Sequence, residues 1–206
     1  MPPAEPGRAD GTVAGVILAA GSSSRMGANK MLLPLGGEPL VRRAVRQALE
    51  AGLQPVLAVL GHEADRARAS LEGLPCTIVL NADHLQGVRT SLRAGVSALP
   101  AEAGAAVVIL GDMPFVTADM IRALVTCYRD GRSPLVVSRY GEVTAPPILY
   151  DRSLFEELRS GDGEGCGKHV VKRHRDEAVM LDWPETALAD VDVPADYEKL
   201  KTLAGG

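Results

Sequence analysis

Short apolar runs alternate with longer amphipathic segments through the first two thirds of the chain. Val13 to Ala20, Val56 to Leu60, Cys76 to Leu80, Ala105 to Leu110 and Leu135 to Ser138 are built almost wholly of Val, Ile, Leu and Ala. Continuous apolar runs of this length predict strands buried on both faces. Between them, Pro39 to Ala51, Glu63 to Leu71, Val88 to Leu99 and Thr117 to Tyr128 carry the helical period. Their punctuation agrees: Pro39 comes early and Gly52 just past the end, Pro100 closes the third helix, and Thr117 is placed to cap the fourth. Strand and helix in strict alternation predict an α/β fold, a Rossmann-like three-layer sandwich with a mostly parallel central sheet.

After about Gly141 the rhythm changes. Ala145 to Tyr150 predicts a strand, with Pro146 and Pro147 favouring an edge or a strand start. Ser153 to Arg159 and Lys168 to His174 predict helices, and a loop with four glycines, Gly161 to Gly167, lies between them. Ala178 to Leu181 and Ala187 to Val191 predict strands, and Pro194 to Leu203 predicts a closing helix. This half extends the same sheet. Residues 13–203 are expected to form one domain in two halves, about 13–140 and about 141–203. Residues 1–12 are rich in Pro, Ala and Gly, lack the apolar stretch of a signal peptide, and are expected to be a disordered leader.

Composition narrows the class. Apolar residues are 46% of 206, aromatics only 3%, so the core is aliphatic. A net charge of −4 argues against a nucleic-acid binder working through a basic face. Cys76, Cys127 and Cys166 are odd in number and widely spaced, as expected of free thiols in a reducing compartment rather than a disulfide framework or a zinc site. His62, His84, His169 and His174 have no metal-ligand spacing either. No run approaches the ~20 apolar residues of a membrane span. A cytoplasmic protein is expected, with neither nucleic acid nor membrane as partner.

The candidate chemistry begins where the first strand ends. Residues 16–30 read V-I-L-A-A-G-S-S-S-R-M-G-A-N-K. Gly21 breaks the strand, three hydroxyls follow, and Arg25, Gly27 and Lys30 complete the segment. Glycines let the backbone turn and approach a ligand, and successive N–H groups can cradle an anion. The Gly-Lys-Ser/Thr triplet of a P-loop is absent, as is the Gly-x-Gly-x-x-Gly of a dinucleotide fold. Asp112 follows the fourth strand in Leu110-Gly111-Asp112-Met113-Pro114. Ligands in such sheets bind beyond the carboxyl ends of the strands, so Gly21 and Asp112 are expected on one rim. There Asp112 either makes a turn or holds Mg²⁺ beside phosphate oxygens. Asp190 and Asp192 repeat the theme before Pro194; either one is placed to complete a metal site, and Asp192 is equally well placed to cap the helix that follows.

These residues together resemble a family. Leu18 to Gly27 with Lys30, Asn81 through Gly87 to Ser91 and Leu92, Gly111 to Pro114, and Asp192 with Pro194, Asp196 and Tyr197 resemble, in order, the motifs of the MobA-like nucleotidyltransferases. Among these the chain is most similar to the molybdenum cofactor cytidylyltransferases, because Leu18 to Gly21 reads Leu-Ala-Ala-Gly where a guanylyltransferase branch has Leu-Ala-Gly-Gly. The departures are Ala145-Pro146-Pro147 in place of Gly-His-Pro, the longer loop 161–168, and Val88-Arg89-Thr90 after Gly87.

The resemblance implies a fold of the nucleotide-diphospho-sugar transferase type and transfer of CMP from CTP, or another NTP, to the phosphate of molybdopterin or molybdenum cofactor. It implies a nucleotide-binding half over about 13–140 and an acceptor-side half over about 141–203, with Arg25, Lys30 and Asp112 as catalytic residues. Leu18, Ala19, Ala20, Gly21, Ser22, Ser23, Ser24, Gly27, Asn81, Gly87 and Ser91 are implied to bind nucleotide. Asp112 and Asp192 are implied to hold Mg²⁺, and Lys168 and His169 to contact the acceptor. A transient contact with a molybdoenzyme would follow. Two alternatives stay open: another phosphorylated small molecule as acceptor, such as a sugar or alcohol phosphate, or a non-catalytic nucleotide-binding partner in molybdoenzyme maturation.

Overall fold

The computed structural model describes residues 11–23, 26–131, 133–161, 165, 167–189, 195–198 and 200. In chain order the elements are β1 (Thr12–Ala19), β2 (Pro34–Leu35), β3 (Glu38–Pro39), α1 (Leu40–Glu50), β4 (Val56–Leu60), α2 (Ala64–Ser70), β5 (Thr77–Leu80) and α3 (Val88–Ser97). Then come β6 (Ala103–Leu110), α4 (Ala118–Arg129), β7 (Leu135–Tyr140), β8 (Val143–Asp151), α5 (Phe155–Ser160), α6 (Lys168–Arg173) and β9 (Val179–Trp183).

Seven strands form one sheet in the order β5-β4-β1-β6-β8-β7-β9. The pairs β5–β4, β4–β1, β1–β6 and β7–β9 are parallel, and β8 alone runs against its neighbours β6 and β7. The carboxyl ends of the other six strands therefore share one rim with the start of β8. Alternate residues of β1 enter opposite layers. Val13, Ile17 and Ala19 pack with Val41 and Val45 of α1 and Ile121 and Leu124 of α4. Ala14, Val16 and Leu18 pack with Leu92 and Val96 of α3, Leu158 of α5 and Val170 of α6. Burial of both faces is why β1 reads as an unbroken apolar run rather than an alternating one. On the second face α3 lies close: a Cβ on Gly95 would stand 2.4 Å from Val16 Cγ1, so only glycine admits this approach.

Two expectations are corrected. Pro146 and Pro147 are in neither an edge strand nor its first residues; β8 is interior, between β6 and β7. Pairing with β6 extends only from Ile148 to Asp151, and the pairing with β7 shifts register between Val137 and Arg139, so no ladder N–H is demanded of either proline. Side chains take their carbonyls instead: Tyr140 Oη donates to the Pro146 carbonyl at 3.0 Å and Ser138 Oγ to that of Pro147 at 2.7 Å. The strand expected from Ala187 is also absent over the described residues. Glu185–Leu188 is a 3-10 turn begun by Pro184, whose carbonyl accepts from Ala187 N–H at 2.9 Å. Its continuation to Val191 lies outside the described residues, as do the leader to residue 10 and residues 201–203 of the closing helix; residues 195–198 are helical. Ser153 to Arg159 divides into a 3-10 turn, Arg152–Leu154, and α5. No helix among the described residues is long and apolar enough to cross a membrane.

Candidate active site

The rim carries the motifs because each strand of the parallel half ends in a loop there. β1 runs into Ala20 and Gly21, and β6 into Gly111 and Asp112. Gly111 N–H donates to the Leu18 carbonyl at 2.9 Å, so the two ends are pinned together. After Gly21 the chain reverses. Ser23 has a φ of 52° and Gly27 a φ of 68°, both left-handed, and the Ser23 carbonyl accepts from Met26 N–H at 2.9 Å. A single 3-10 turn, Lys30–Leu32, then returns the chain toward the sheet.

That turn brings Lys30 Nζ to 2.5 Å from Asp112 Oδ2, with side-chain exposures of 12% and 14%. A cation and a carboxylate expected separately from two motifs thus meet in one partly buried pair. The pair sits next to the backbone that opens the proposed phosphate loop. Ser24 and Arg25 of that loop, and Asp190 and Asp192, lie outside the described residues.

The proposed nucleoside side is more tightly bonded within itself than the motif implied. Asn81 is buried; its Nδ2 donates to Thr90 Oγ1 at 2.9 Å and Ser91 Oγ at 3.0 Å, and its Oδ1 accepts from Asp83 N–H at 3.0 Å. Asn81 and Ser91 therefore meet, and together they tie the end of β5 to the first turn of α3. Gly87, exposed and with a φ of 101°, forms the lip between them. Leu18 and Ala19 are strand residues buried in opposite layers. Ala20 is 2% exposed, its methyl packed in the layer beneath α3 as part of the wall under the rim. Gly21 is exposed, Ser22 and Ser23 half-buried.

Lys168 and His169 open α6, on the α3 side of the sheet. Lys168 is exposed, while His169 Nε2 lies 3.2 Å from the Glu157 carbonyl and joins α6 to α5. Glu157 also pairs with Arg173 and His174 at 2.9 Å. Arg89, from the first turn of α3, reaches the Gly161 carbonyl at 3.4 Å and links the nucleoside side to the glycine loop.

Three residues of the site escaped the sequence reading: Asn29, His62 and Arg89. His62 follows β4, its N–H donating to the Ala20 carbonyl at 3.2 Å. Beyond it Glu63 stands in left-handed backbone, and Arg66 holds its carboxyl below the usual range. The signal for His62 was its place two residues past a buried strand on the same rim.

Among the described residues no group of three or more His, Cys, Asp or Glu is gathered as a metal cage. Asp112 nonetheless offers a hard carboxylate oxygen that already holds one cation, the Lys30 ammonium. That donor suits an ion such as Mg²⁺, which takes one or two carboxylates and draws its other ligands from phosphates and water.

The sequence model of the MobA-like NTP transferase domain matches residues 15–178. The chain belongs to that family. As a MobA-like chain it is 34% identical over 152 residues to the bifunctional protein GlmU of Kineococcus radiotolerans, covering 72% of this chain and 30% of GlmU. It is 35% identical over 167 residues to GlmU of Bacillus cereus, covering 80% of this chain and 35% of that one. The chain thus spans about a third of the length of these curated relatives. Rv0371c from Mycobacterium tuberculosis superposes with a TM-score of 0.83 at 27% identity, over 93% of this chain and 98% of that one. A nucleotidyl transferase from Methanothermobacter shares the fold, with a TM-score of 0.80 at 22% identity over 94% and 97% of the two chains. The MobA-like fold here is the mostly parallel α/β sandwich expected from the strand pattern.

Proposed function

We propose that this protein is a divalent-metal-dependent nucleotidyltransferase that moves CMP from CTP to the phosphate of molybdopterin or molybdenum cofactor and releases pyrophosphate. The observation that carries the reading is the Lys30–Asp112 pair, held on the rim where β1 opens into the phosphate loop. Family membership supports nucleotidyl transfer. The Leu-Ala-Ala-Gly form of residues 18–21 supports CTP, and the likeness to molybdenum cofactor cytidylyltransferases supports the acceptor.

In this reading an oxygen of the acceptor phosphate attacks the α-phosphorus of the NTP. The bond from that phosphorus to the bridging oxygen of the β-phosphate breaks, and pyrophosphate leaves with the bond's electron pair. No covalent enzyme intermediate is needed; the protein supplies position and charge. Backbone N–H groups of residues 21–27 hold the triphosphate, with Arg25 beside it. Lys30 leaves Asp112 for the phosphates, a transfer of its ammonium from one set of oxygens to another, and neutralises charge that grows on the leaving group. Asp112, with Asp192 as a second donor, would hold Mg²⁺, which when bound supplies further charge neutralisation at the phosphate oxygens. Asn81, through Ser91 and Thr90, shapes the lip at Gly87 against which base and ribose rest. Lys168 meets the acceptor phosphate, with His169 behind it. The protein works in the cytoplasm and passes its product to a molybdoenzyme.

A second acceptor class is favoured by one set of observations. The curated relatives named above are GlmU proteins, and Ala145-Pro146-Pro147, within β8 just before its pairing with β6 begins, departs from the molybdenum cofactor pattern. Another phosphorylated small molecule, a sugar or alcohol phosphate, fits the same chemistry. Pyrophosphate release, measured with each of four NTPs and each acceptor in the presence of Mg²⁺, decides. Release with CTP that depends on molybdopterin supports the proposal. Release that depends only on a sugar or alcohol phosphate replaces the acceptor, and CTP binding without release with any acceptor refutes catalysis.

A further inference from the structure

Lys30 stands on a 3-10 turn of three residues, Lys30–Leu32, and so short a turn has little rigidity of its own. Both of its leading N–H groups are taken by side chains from the preceding loop. Lys30 N–H donates to Ser23 Oγ and Met31 N–H to Asn29 Oδ1, each at 3.1 Å. The other half of the Asn29 amide does something a turn cap does not require: Nδ2 donates to the His62 carbonyl at 3.1 Å, across 33 residues of chain. The two bonds together define which way the amide faces. Asn29 is 4% exposed, so water does not compete for either bond. His62 N–H is in turn bonded to the Ala20 carbonyl. One buried amide thus joins the Lys30 turn to the end of β4, and through His62 to the end of β1.

We propose that Asn29 is a positioning residue for nucleotidyl transfer, bridging Met31 N–H and the His62 carbonyl so that Lys30 is held opposite Asp112. This rests on the nucleotidyltransferase reading above. The neighbouring Met31 transmits the same constraint: its Sδ lies against Gly111, one residue before Asp112. A turn that shifts therefore moves the Lys30 backbone and loosens the packing under Asp112 together. A misplacement of about 1 Å at a reacting centre costs about a hundredfold in rate.

The bridge and the plain cap are separable. Asn29→Ala removes both bonds, whereas Asn29→Ser restores a good N-cap oxygen but is one atom too short to reach the His62 carbonyl as well. The expected result is a kcat lower by about tenfold to a hundredfold in both variants, with KM for the NTP changed less than about threefold because the phosphate loop's own N–H groups remain. In the free protein, amide hydrogen exchange at Lys30 should be faster in both. Turnover restored to wild type by Asn29→Ser would show that capping is the whole role and overturn the proposal. Wild-type exchange at Lys30 in that variant would overturn it equally. If Asn29→Ala does not fold, Asn29→Ser carries the test alone. A wild-type protein that releases no pyrophosphate with any NTP refutes the function reading, and the exchange result then decides the bridge by itself.

Discussion

Gly111→Ala adds a single methyl where the ends of β1 and β6 meet. Gly111 has no left-handed φ, so alanine's backbone preference is not the obstacle. Space is. The new Cβ would stand 3.0 Å from Met31 Sδ, 3.2 Å from Ala19 Cβ and 3.2 Å from the Leu18 carbonyl oxygen. Met31 is 3% exposed and Ala19 1%, and the Leu18 oxygen is fixed by the Gly111 N–H itself, so no neighbour withdraws freely. Overpacking of this kind costs ~1–3 kcal/mol. Restricting the unfolded chain at a former glycine returns ~0.4–1 kcal/mol. The net is ~0–2.6 kcal/mol of destabilisation with a midpoint near ~1.3 kcal/mol, or ~3–5 °C in melting temperature at that midpoint for a domain of this size. Relief by a few tenths of an ångström moves Met31 or the end of β6, and either displaces Lys30 relative to Asp112. Turnover should fall by about tenfold or more. Chemical denaturation, thermal melting and pyrophosphate release read the two effects separately. A variant as stable and as active as wild type would refute the claim that this packing sets the pair.

Asp112→Asn keeps the shape and removes the charge; turnover is expected to fall at least about a hundredfold, the scale of losing one preorganised electrostatic contact, with the far-UV dichroism unchanged, and near-normal turnover would remove Asp112 from the chemistry. Ser138→Ala strips the hydroxyl that donates to the Pro147 carbonyl and accepts from Trp183 Nε1 at 2.9 Å. Leaving those two groups without it should cost ~1–3 kcal/mol in denaturant unfolding, and a loss near zero would show that β8 is held at its prolines by backbone alone. Burial raises the Cys76 thiol above its ordinary range. Peptide-resolved alkylation of Cys76 should therefore be slow at neutral pH and continue to accelerate above the pH at which a model thiol levels off; a plateau at the model value would refute the burial.

Much of the architecture was legible because parallel strands buried on both faces carry their signal in composition. β1, β4, β6 and β7 coincide with such apolar runs, and Thr117 caps α4 as expected, its Oγ1 accepting from Met120 N–H. β5 was legible as a strand but not as a sheet edge: expected to be buried on both faces, it leaves Thr77 and Leu80 exposed and Ile78 and Val79 half-buried. β8 was harder. Its two prolines argue against an interior strand, and what overrides them is non-local: a register shift against β7 and two hydroxyls contributed by that strand. The turn Glu185–Leu188 was missed because Ala and Leu content favours neither strand nor turn, while Pro184 decides locally. At the site, Lys30 and Asp112 were each legible from motif position, but their contact depends on a turn 80 residues before Asp112 folding onto the end of β6. Asn29 was illegible for a different reason. An asparagine in a loop is ordinarily a turn residue, and its bridge to the His62 carbonyl exists only once β4 lies beside β1.

The central claim is that the α-phosphorus of CTP ends on the acceptor's phosphate. Phosphorus-31 NMR of the protein with CTP, molybdopterin and Mg²⁺ observes this bond directly. The account predicts a pair of coupled resonances from a new CMP-to-acceptor pyrophosphate linkage, growing in step with free pyrophosphate and absent in Asp112→Asn. Unchanged CTP resonances, or CMP appearing without a linkage to any phosphorylated acceptor supplied, would contradict it.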